Sequence, residues 1–160
     1  MTARHRRAVR VLLRSKNDRI LLFLSHFEPG SGLDPAWVFP GGGMEPGESE
    51  LAAAIRELKE ETGREFAEPD LGEVLASIQH QMPDTREFET GEAHFFELVI
   101  QDEFEPDSSG WTSDEHRDNV SHRWWSLEEI ITEQPWIEPS GSIEILHERL
   151  SANPSSPRQI

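Results

Sequence analysis

Three glutamates near the middle of the chain have the residue type and spacing of a metal site. Glu57, Glu60 and Glu61 lie in a stretch of helix-forming residues, 50–62, that contains no proline or glycine. At the helical angle of roughly 100° per residue, the three side chains share an arc of about 100°. Carboxylates held this close repel one another unless a cation joins them, and hard oxygen ligands suit Mg²⁺ or Mn²⁺. The spacing therefore predicts a helix with a divalent-cation site on one face.

The residues just before this helix favour a tight loop that approaches the carboxylates. Glycines at 41–43 allow backbone geometry and close contacts that other residues do not. Glu45–Glu48 has proline and glycine at the central positions of a type II turn, which would bring Glu48 towards the cluster. Arg56 precedes Glu60 by four positions and could orient its carboxylate. A glycine loop or an acidic helix alone is ordinary, but the combination at this spacing indicates a site.

The stretch Gly42–Arg64 resembles the signature of the Nudix hydrolase family. That signature is a glycine, five residues, a glutamate, seven residues, and then Arg-Glu-apolar-any-Glu-Glu-any-Gly-apolar. The matching residues are Gly42, Glu48, Arg56, Glu57, Leu58, Glu60, Glu61 and Gly63. Arg64 is the one departure, because the family usually has an apolar residue at that position.

The resemblance implies both a fold and a reaction. The implied fold is α+β, the Nudix fold: an α/β/α sandwich with a mixed β-sheet. The implied reaction is hydrolysis of the diphosphate linkage of a nucleoside diphosphate derivative by Mg²⁺-activated water, with Mn²⁺ as a substitute. Carried over by position, Gly42, Glu57, Glu60 and Glu61 would bind the metal. Glu48 and Arg56 would complete the catalytic set.

The resemblance leaves the general base open, because it varies within the family between a helix glutamate and a carboxylate from a distant loop. Glu115, in the loop before the later strand, is the candidate for the distant carboxylate. Asp114 and Asp118 are its rivals, and a solvated loop acid is the alternative reading of Glu115. Trp111, in the same loop, could stack on a nucleobase, but we favour an anchor that packs the loop down.

The elements around the motif predict one domain over 1–150, followed by a disordered tail at 151–160. Strands are expected at Ala8–Leu13, Ile20–Leu24, Val74–Ile78, Ala93–Ile100 and Val120–Ser126. Helices are expected at 50–62, Leu127–Thr132 and Ser142–Leu150, the first with Ser49 as N-cap and Gly63 as its stop.

Two predictions concern which side chains face the core. In the first helix, the core face is expected at Leu51, Ile55, Leu58 and Thr62. Ala53 and Ala54 would flank the carboxylates and leave space beside them. Trp124 and Trp125 alternate faces of a strand, so one of the two is expected in the core.

Composition narrows the partners. The chain has 160 residues, a formal net charge of −16 and no cysteine. Proteins that bind duplex or long single-stranded nucleic acid need a basic face, so we expect a small-molecule nucleoside diphosphate derivative and no nucleic acid. Without cysteine, disulfides and thiolate metal ligands are excluded. No signal peptide and no membrane-spanning apolar run is evident, so we predict a cytoplasmic protein with no membrane partner.

Several alternatives stay open. A catalytically silent Nudix-fold module that binds nucleotides for regulation is the second hypothesis, although the intact glutamates argue against it. An isoprenoid diphosphate isomerase of related fold would rely on a catalytic cysteine, which the chain lacks. Among substrates, nucleoside triphosphates, dinucleoside polyphosphates, ADP-ribose and nucleotide sugars all remain. Dimers are common in the family, so a homodimer is also open.

Overall fold

The computed structural model describes residues 5–26, 34–81, 90–111, 113, 119–139 and 141–152. The strands in these ranges are β1 (His5–Ser15), β2 (Arg19–Ser25), β3 (Ala36–Val38), β4 (Gly41–Gly43), β5 (Ala76–Gln81), β6 (Thr90–Ile100), β7 (Asn119–Ser126) and β8 (Ile137–Glu138). The helices are α1 (Glu50–Thr62), α2 (Glu68–Leu71), α3 (Leu127–Glu133) and α4 (Ser142–Ala152), and Ser108–Gly110 forms a turn of 3-10 helix.

The described strands form one mixed sheet. Its main path runs β5-β6-β1-β2-β3-β8, while β4 pairs with β1 and β7 pairs with β2. The β1–β6 and β3–β8 pairs are parallel, and the other described pairs are antiparallel. The glycine strand β4 lies along the first half of β1, with Arg10 opposite Gly41 and Ala8 opposite Gly43.

Alternation along the central strands divides the core into two layers. The layer under α1 contains apolar residues of β1, β2 and α1, including Val9, Val11, Leu13, Leu21, Phe23 and Leu58. The layer under α3 and α4 contains the residues that point the other way, including Leu12, Ile20, Leu22, Ile130, Leu146 and Leu150. Helices thus cover both faces of the sheet, which confirms the predicted α+β class and the α/β/α sandwich.

The main elements lie where the sequence predicts them. Helix α1 has the predicted bounds, with the Ser49 side chain accepting from the backbone N–H of Ala52 and Gly63 in the left-handed region at φ 77°. β1 and β2 extend beyond the predicted segments at both ends, β6 begins earlier than predicted, at Thr90, and β5 begins later, at Ala76. Helix α4 reaches Ala152, and the rest of the predicted tail, 153–160, lies outside the described residues.

The core face of α1 is broader than predicted. Leu58 and Thr62 are buried, and Leu51 and Ile55 are half-buried but pack against the same core layer. Ala53 and Ala54 are fully buried in the core layer, so they leave no open space beside the carboxylates. The reason is that α1 packs against the sheet along an arc centred near Glu57 and Glu61, whose side chains are themselves buried.

Both tryptophans of the Trp124–Trp125 pair lie in the core, whereas the sequence predicts only one of them there. Trp124 lies in the layer under α1, and Trp125 lies in the layer under α4. Because helices cover both faces of the sheet, both indole rings are buried. In the described ranges, no helix is long and apolar enough to cross a membrane.

Candidate functional site

The glycine strand β4 and helix α1 make a close contact at two glutamates. A Cβ on Gly42 would lie 2.5 Å from Oε1 and 2.7 Å from Cδ of Glu57, so only glycine permits this approach. The backbone N–H of Gly41 donates to Oε2 of Glu61 at 3.0 Å. Glu57 is 6% exposed and Glu61 is 7% exposed. Two carboxylates are therefore held against a backbone that has no side chains of its own.

Arg56 connects the carboxylates of this site to one another and to the loop. Its Nε and Nη2 donate to the two carboxylate oxygens of Glu48 at 2.7 and 2.9 Å. Nη2 also donates to the carbonyl of Gly43 at 3.0 Å. Nη1 donates to Glu57 at 3.1 Å and to Glu60 at 3.3 Å. One guanidinium thus fixes the start of α1, the end of β4 and two of the three helix glutamates.

The turn before α1 positions Glu48 for this contact. The backbone N–H of Glu48 donates to the carbonyl of Glu45 at 3.1 Å, and Gly47 has the positive φ, 78°, that a type II turn requires. Oε1 of Glu48 also accepts from the backbone N–H of Glu45 at 3.0 Å. The hydrogen bond from Arg56 is the largest cause that lowers the pKa of Glu48. The bond to Glu48 is in turn the main cause that raises the pKa of Arg56.

The pKa of Glu57 is shifted in the opposite direction from that of Glu48. Burial raises the pKa of Glu57 above its usual range, and the charge of Glu60 raises it further. Arg56 and Arg10 act in the other direction but do not cancel the effect of burial on this pKa. A carboxylate whose charged form is disfavoured gains most from a nearby cation.

The donor set fits a hard divalent cation in its chemistry. Glu57, Glu60 and Glu61 supply carboxylate oxygens, and the glycine strand supplies backbone carbonyls. In the described part of the chain, no three acidic or histidine side chains already converge as a metal-binding group. Arg56 binds Glu57 and Glu60 instead. Because Arg56 holds the carboxylate of Glu60, that side chain, which is 37% exposed, would have to reorient before all three glutamates could bind one metal ion.

The segment after β6 holds the C-terminal end of α1. The indole Nε1–H of Trp111 donates to the carbonyl of Glu61 at 2.8 Å, and its ring meets Phe23 edge-on at 5.8 Å. The backbone N–H of Asp107 donates to the carbonyl of Thr62 at 3.0 Å. A Cβ on Gly110 would lie 3.1 Å from the carbonyl of Glu60. Trp111 is therefore an anchor beneath the glutamates, as the sequence analysis favours.

The structure brings together every site residue of the predicted motif. Gly42 meets Glu57, and Arg56 pairs with Glu48, Glu57 and Glu60. Glu61 joins them through the backbone N–H of Gly41. Glu115 lies outside the described residues, as do Asp114 and Asp118, so the distant base stays a prediction.

Arg10 lies near the site, although strand alternation in the sequence favours a surface arginine at this position over one that meets a phosphate. Its Nη1 donates to the carbonyl of Phe39 at 2.9 Å, next to the glycine strand. Burial lowers the pKa of Arg10 and the charge of Arg6 lowers it further, whereas Glu61 and Glu57 raise it. The signal in the sequence is that Arg6 and Arg10 share one face of a strand in an otherwise acidic chain.

The comparison with family models decides the family. A model described as the NUDIX domain matches residues 4–147. The chain belongs to the Nudix family. The match covers the sheet, α1 and most of α4, so the family assignment rests on the whole fold as well as on the motif.

Two curated relatives illustrate the range of Nudix proteins that this chain resembles. An RNA pyrophosphohydrolase of Roseobacter denitrificans (strain ATCC 33942 / OCh 114) is 50% identical over 48 residues, which are 30% of this chain and 28% of that protein. The chain thus matches little more than a quarter of that relative. The asymmetrical bis(5'-nucleosyl)-tetraphosphatase of Mus musculus is 28% identical over 123 residues, covering 74% of this chain and 75% of that one.

Solved structures agree on the Nudix fold. The MutT protein from Methanosarcina mazei Go1 superposes with a TM-score of 0.70 and 18% identity, covering 96% of this chain and 99% of that one. At this identity the likeness shows the fold alone.

Proposed function

We propose that this Nudix protein hydrolyses the diphosphate linkage of a nucleoside diphosphate derivative with Mg²⁺-activated water. The observation that carries the proposal is the pair of buried carboxylates, Glu57 and Glu61, held against the side-chain-free strand β4. Burying charge in this way destabilises a fold unless a partner compensates for it. Clustered buried carboxylates without enough basic partners are typical of functional sites.

Each residue of the motif has a role that follows from its contacts. Glu57, Glu60 and Glu61 would hold the divalent cation, and the carbonyl of Gly42 would add a neutral oxygen ligand. Arg56 would orient Glu57 and Glu60, while Glu48 keeps the Arg56 guanidinium in place through two hydrogen bonds. When bound, Mg²⁺ or Mn²⁺ would offset the charge of the diphosphate and lower the pKa of the attacking water.

The substrate class is proposed from the net charge of the chain and from the relative that matches the larger share of it. A formal net charge of −16 disfavours a long nucleic acid and favours a small molecule that arrives with divalent cations. The relative that matches three quarters of its length is named for its action on a dinucleoside tetraphosphate. We therefore place nucleoside polyphosphates first among the substrates, with cytoplasmic location and homodimer formation as further predictions.

One observation favours a catalytically silent module as the second candidate. Arg56 already binds Glu57 and Glu60, so the described residues partly balance the charge of the cluster without a metal. A protein that uses the cluster for structure alone would keep these ion pairs when divalent cations are added.

The test is hydrolysis across a panel of nucleoside triphosphates, dinucleoside tetraphosphates, ADP-ribose, nucleotide sugars and 5'-triphosphorylated RNA. Each compound is assayed with Mg²⁺, with Mn²⁺ and with a chelator, and phosphate and pyrophosphate release are measured. We expect metal-dependent cleavage of one small-molecule class. No cleavage of any compound, together with nucleotide binding in a thermal-shift assay, would support the silent module instead.

A further inference from the structure

Among the described residues, two neighbouring arginines differ from most others because they form no ion pair with a carboxylate. In the described residues, six arginines form ion pairs with Asp or Glu: Arg7, Arg14, Arg19, Arg56, Arg123 and Arg149. Arg64 lies over the ring of Phe104 instead. Arg6 and Arg10 form no ion pair within the described ranges, although acids outnumber bases 31 to 15 in the chain.

Both arginines lie against the glycine segment. A Cβ on Gly43 would lie 3.2 Å from Nε and 3.3 Å from Nη2 of Arg6. The guanidinium of Arg10 donates to the carbonyl of Phe39, just before the glycines. The pKa of Arg10 is lowered by burial and by the charge of Arg6, which agrees with two guanidinium groups held near each other. The charges of Glu61 and Glu57 raise the pKa of Arg10, so Arg10 lies near the glutamate cluster, but neither Arg6 nor Arg10 forms an ion pair among the described residues.

The arginines and the glutamates lie on either side of the same short strand. The Cβ direction of Gly42 meets Glu57, whereas that of its neighbour Gly43 meets Arg6. Successive residues of a strand point to opposite faces, so the β4 backbone separates the two groups. In the described sheet, β4 pairs only with β1, which leaves its other edge without a strand partner. Arg10 is nevertheless near enough for the charges of Glu61 and Glu57 to raise its pKa, so the arginines and the glutamates adjoin at this part of β4.

We propose that Arg6 and Arg10 form an anion subsite that binds a phosphate of the substrate, next to the one held at the glutamates. The guanidinium fork matches phosphate oxygens in geometry and charge, and a dianion relieves the repulsion between two arginines. Two adjoining groups, one for a cation-bound phosphate and one for a bare phosphate, select substrates with at least two linked phosphates. The inference rests on the proposed function, because it assigns that substrate's second phosphate.

The test uses methylenediphosphonate, a diphosphate mimic with no cleavable bridge and no nucleoside. Its dissociation constant is measured by calorimetry with Mg²⁺ for the full-length protein and for Arg6→Gln, Arg10→Gln and Arg7→Gln. Loss of one guanidinium–phosphate contact should weaken binding about 10- to 100-fold in the first two variants. Arg7→Gln is the matched control, because Arg7 lies on the same strand, carries the same charge and pairs with Glu50. It should change binding by no more than about twofold.

Thermal unfolding of each variant separates loss of the subsite from loss of the fold. Burial is the largest cause that lowers the pKa of Arg10, whereas Arg6 lies at the start of β1, so Arg6→Gln tests the subsite even if Arg10→Gln unfolds. Equal weakening in all three variants, or no binding by the unchanged protein, would overturn the subsite. Hydrolysis of a panel compound with KM unaffected in Arg6→Gln and Arg10→Gln would overturn the subsite and leave the proposed function standing. Arginine-dependent binding of the mimic without hydrolysis of any panel compound would support the subsite and overturn the proposed function.

Discussion

At the scale of single residues, the site depends on a glycine that lets a buried carboxylate approach the backbone. Burial raises the pKa of Glu57, which means that the folded protein disfavours its charged form. Gly42 has no side chain, and any side chain at this position would displace the carboxylate of Glu57. The importance of both residues lies in the position of one carboxylate group.

Gly42→Ala should reduce turnover without unfolding the protein. The new Cβ would lie 2.5 Å from Oε1 of Glu57, so the carboxylate must shift. Misplacement of a catalytic group by about 1 Å costs roughly 100-fold in rate, and we expect a fall in kcat of that order. Steady-state kinetics on the best substrate of the panel checks this.

Gly47→Ala is the matched control for that substitution. A Cβ on Gly47 meets nothing within 4 Å, but its φ of 78° strains any other residue. We expect a loss of about 1 kcal/mol in the free energy of unfolding with kcat retained. Equal kcat values for Gly42→Ala and the unchanged protein would contradict the role assigned to the contact with Glu57.

The Glu48–Arg56 pair gives the protein an acid-sensitive contact. Because Arg56 lowers the pKa of Glu48 in the folded state, the unfolded state binds more protons between the lowered pKa and the usual value of 4.5. The stabilisation is therefore complete above pH 4.5 and is lost as the pH falls through the folded pKa. Glu48→Gln should cost about 1 kcal/mol at pH 7 in chelator, and this difference should shrink at lower pH.

Denaturant unfolding from pH 7 to pH 3 measures this difference. Glu45→Gln is the control, because the exposed Glu45 side chain forms no ion pair among the described residues. If Glu48→Gln lowers the free energy of unfolding by the same amount at every pH, the loss of stability does not come from the Glu48–Arg56 ion pair.

At the scale of elements, helix α1 is held at both ends, and this fixes its glutamates. The Ser49 cap and the Arg56 contacts hold its start, and the segment after β6 holds its end through Trp111 and Asp107. Because Trp111 bonds to the carbonyl of Glu61 itself, the anchor acts directly beneath a proposed metal ligand.

Trp111→Phe should lower stability and leave substrate recognition unchanged. Phenylalanine keeps a ring against Phe23 but loses the hydrogen bond to Glu61, which is worth about 1 kcal/mol. Thermal unfolding and KM are measured together, with Trp136→Phe as the control at an exposed indole. A rise in KM with unchanged stability would assign Trp111 to nucleobase stacking instead.

Helix α1 could be predicted to the residue because its signals are local. The cap at Ser49, the stop at Gly63 and the absence of breakers between them all lie in the printed sequence. The face that packs on the sheet could not be predicted by apolarity, because two buried positions are glutamates. Apolar periodicity assumes that buried residues are apolar, and a functional site violates that assumption.

The environment of Arg10 could not be predicted for a related reason. It depends on where the chain places Phe39 and the glycine strand, some 30 residues away. Strand alternation gives the face on which an arginine lies, but the burial of that face depends on long-range pairing. The same holds for Trp124 and Trp125, which are both buried because helices cover both faces of the sheet.

At the scale of the whole molecule, a buried ion pair joins the sheet to the last helix. Glu97 on β6 is 5% exposed and accepts from Nε and Nη2 of Arg149 on α4 at 3.1 and 2.6 Å. Arg14 on β1, which is fully buried, lies 3.8 Å from the same carboxylate. These contacts connect α4 to β6 and to β1, the strand with which the glycine strand β4 pairs.

Glu97→Gln should destabilise the whole protein. Removing one partner of a buried pair leaves an uncompensated charge and costs about 3 kcal/mol. Glu103→Gln is the control, because its pair with Arg19 is more exposed and should cost about 1 kcal/mol or less. The free energies of unfolding of the two variants are compared by denaturant unfolding, with the same denaturant dependence (m-value) used for both. An equal loss of stability in the two variants would show that the buried pair does not hold α4 in place.

The most direct test of the central claim is the Mg²⁺ dependence of hydrolysis when Glu61 is changed. The unchanged protein, Glu61→Gln and Glu65→Gln are assayed on the best substrate of the panel over a range of Mg²⁺ concentrations; Glu65 is an exposed glutamate just beyond the helix. We predict that Glu61→Gln loses activity on the order of 100-fold or more at every concentration, while Glu65→Gln follows the unchanged protein. Full activity in Glu61→Gln, or hydrolysis that persists in chelator, would contradict a metal site built on helix α1.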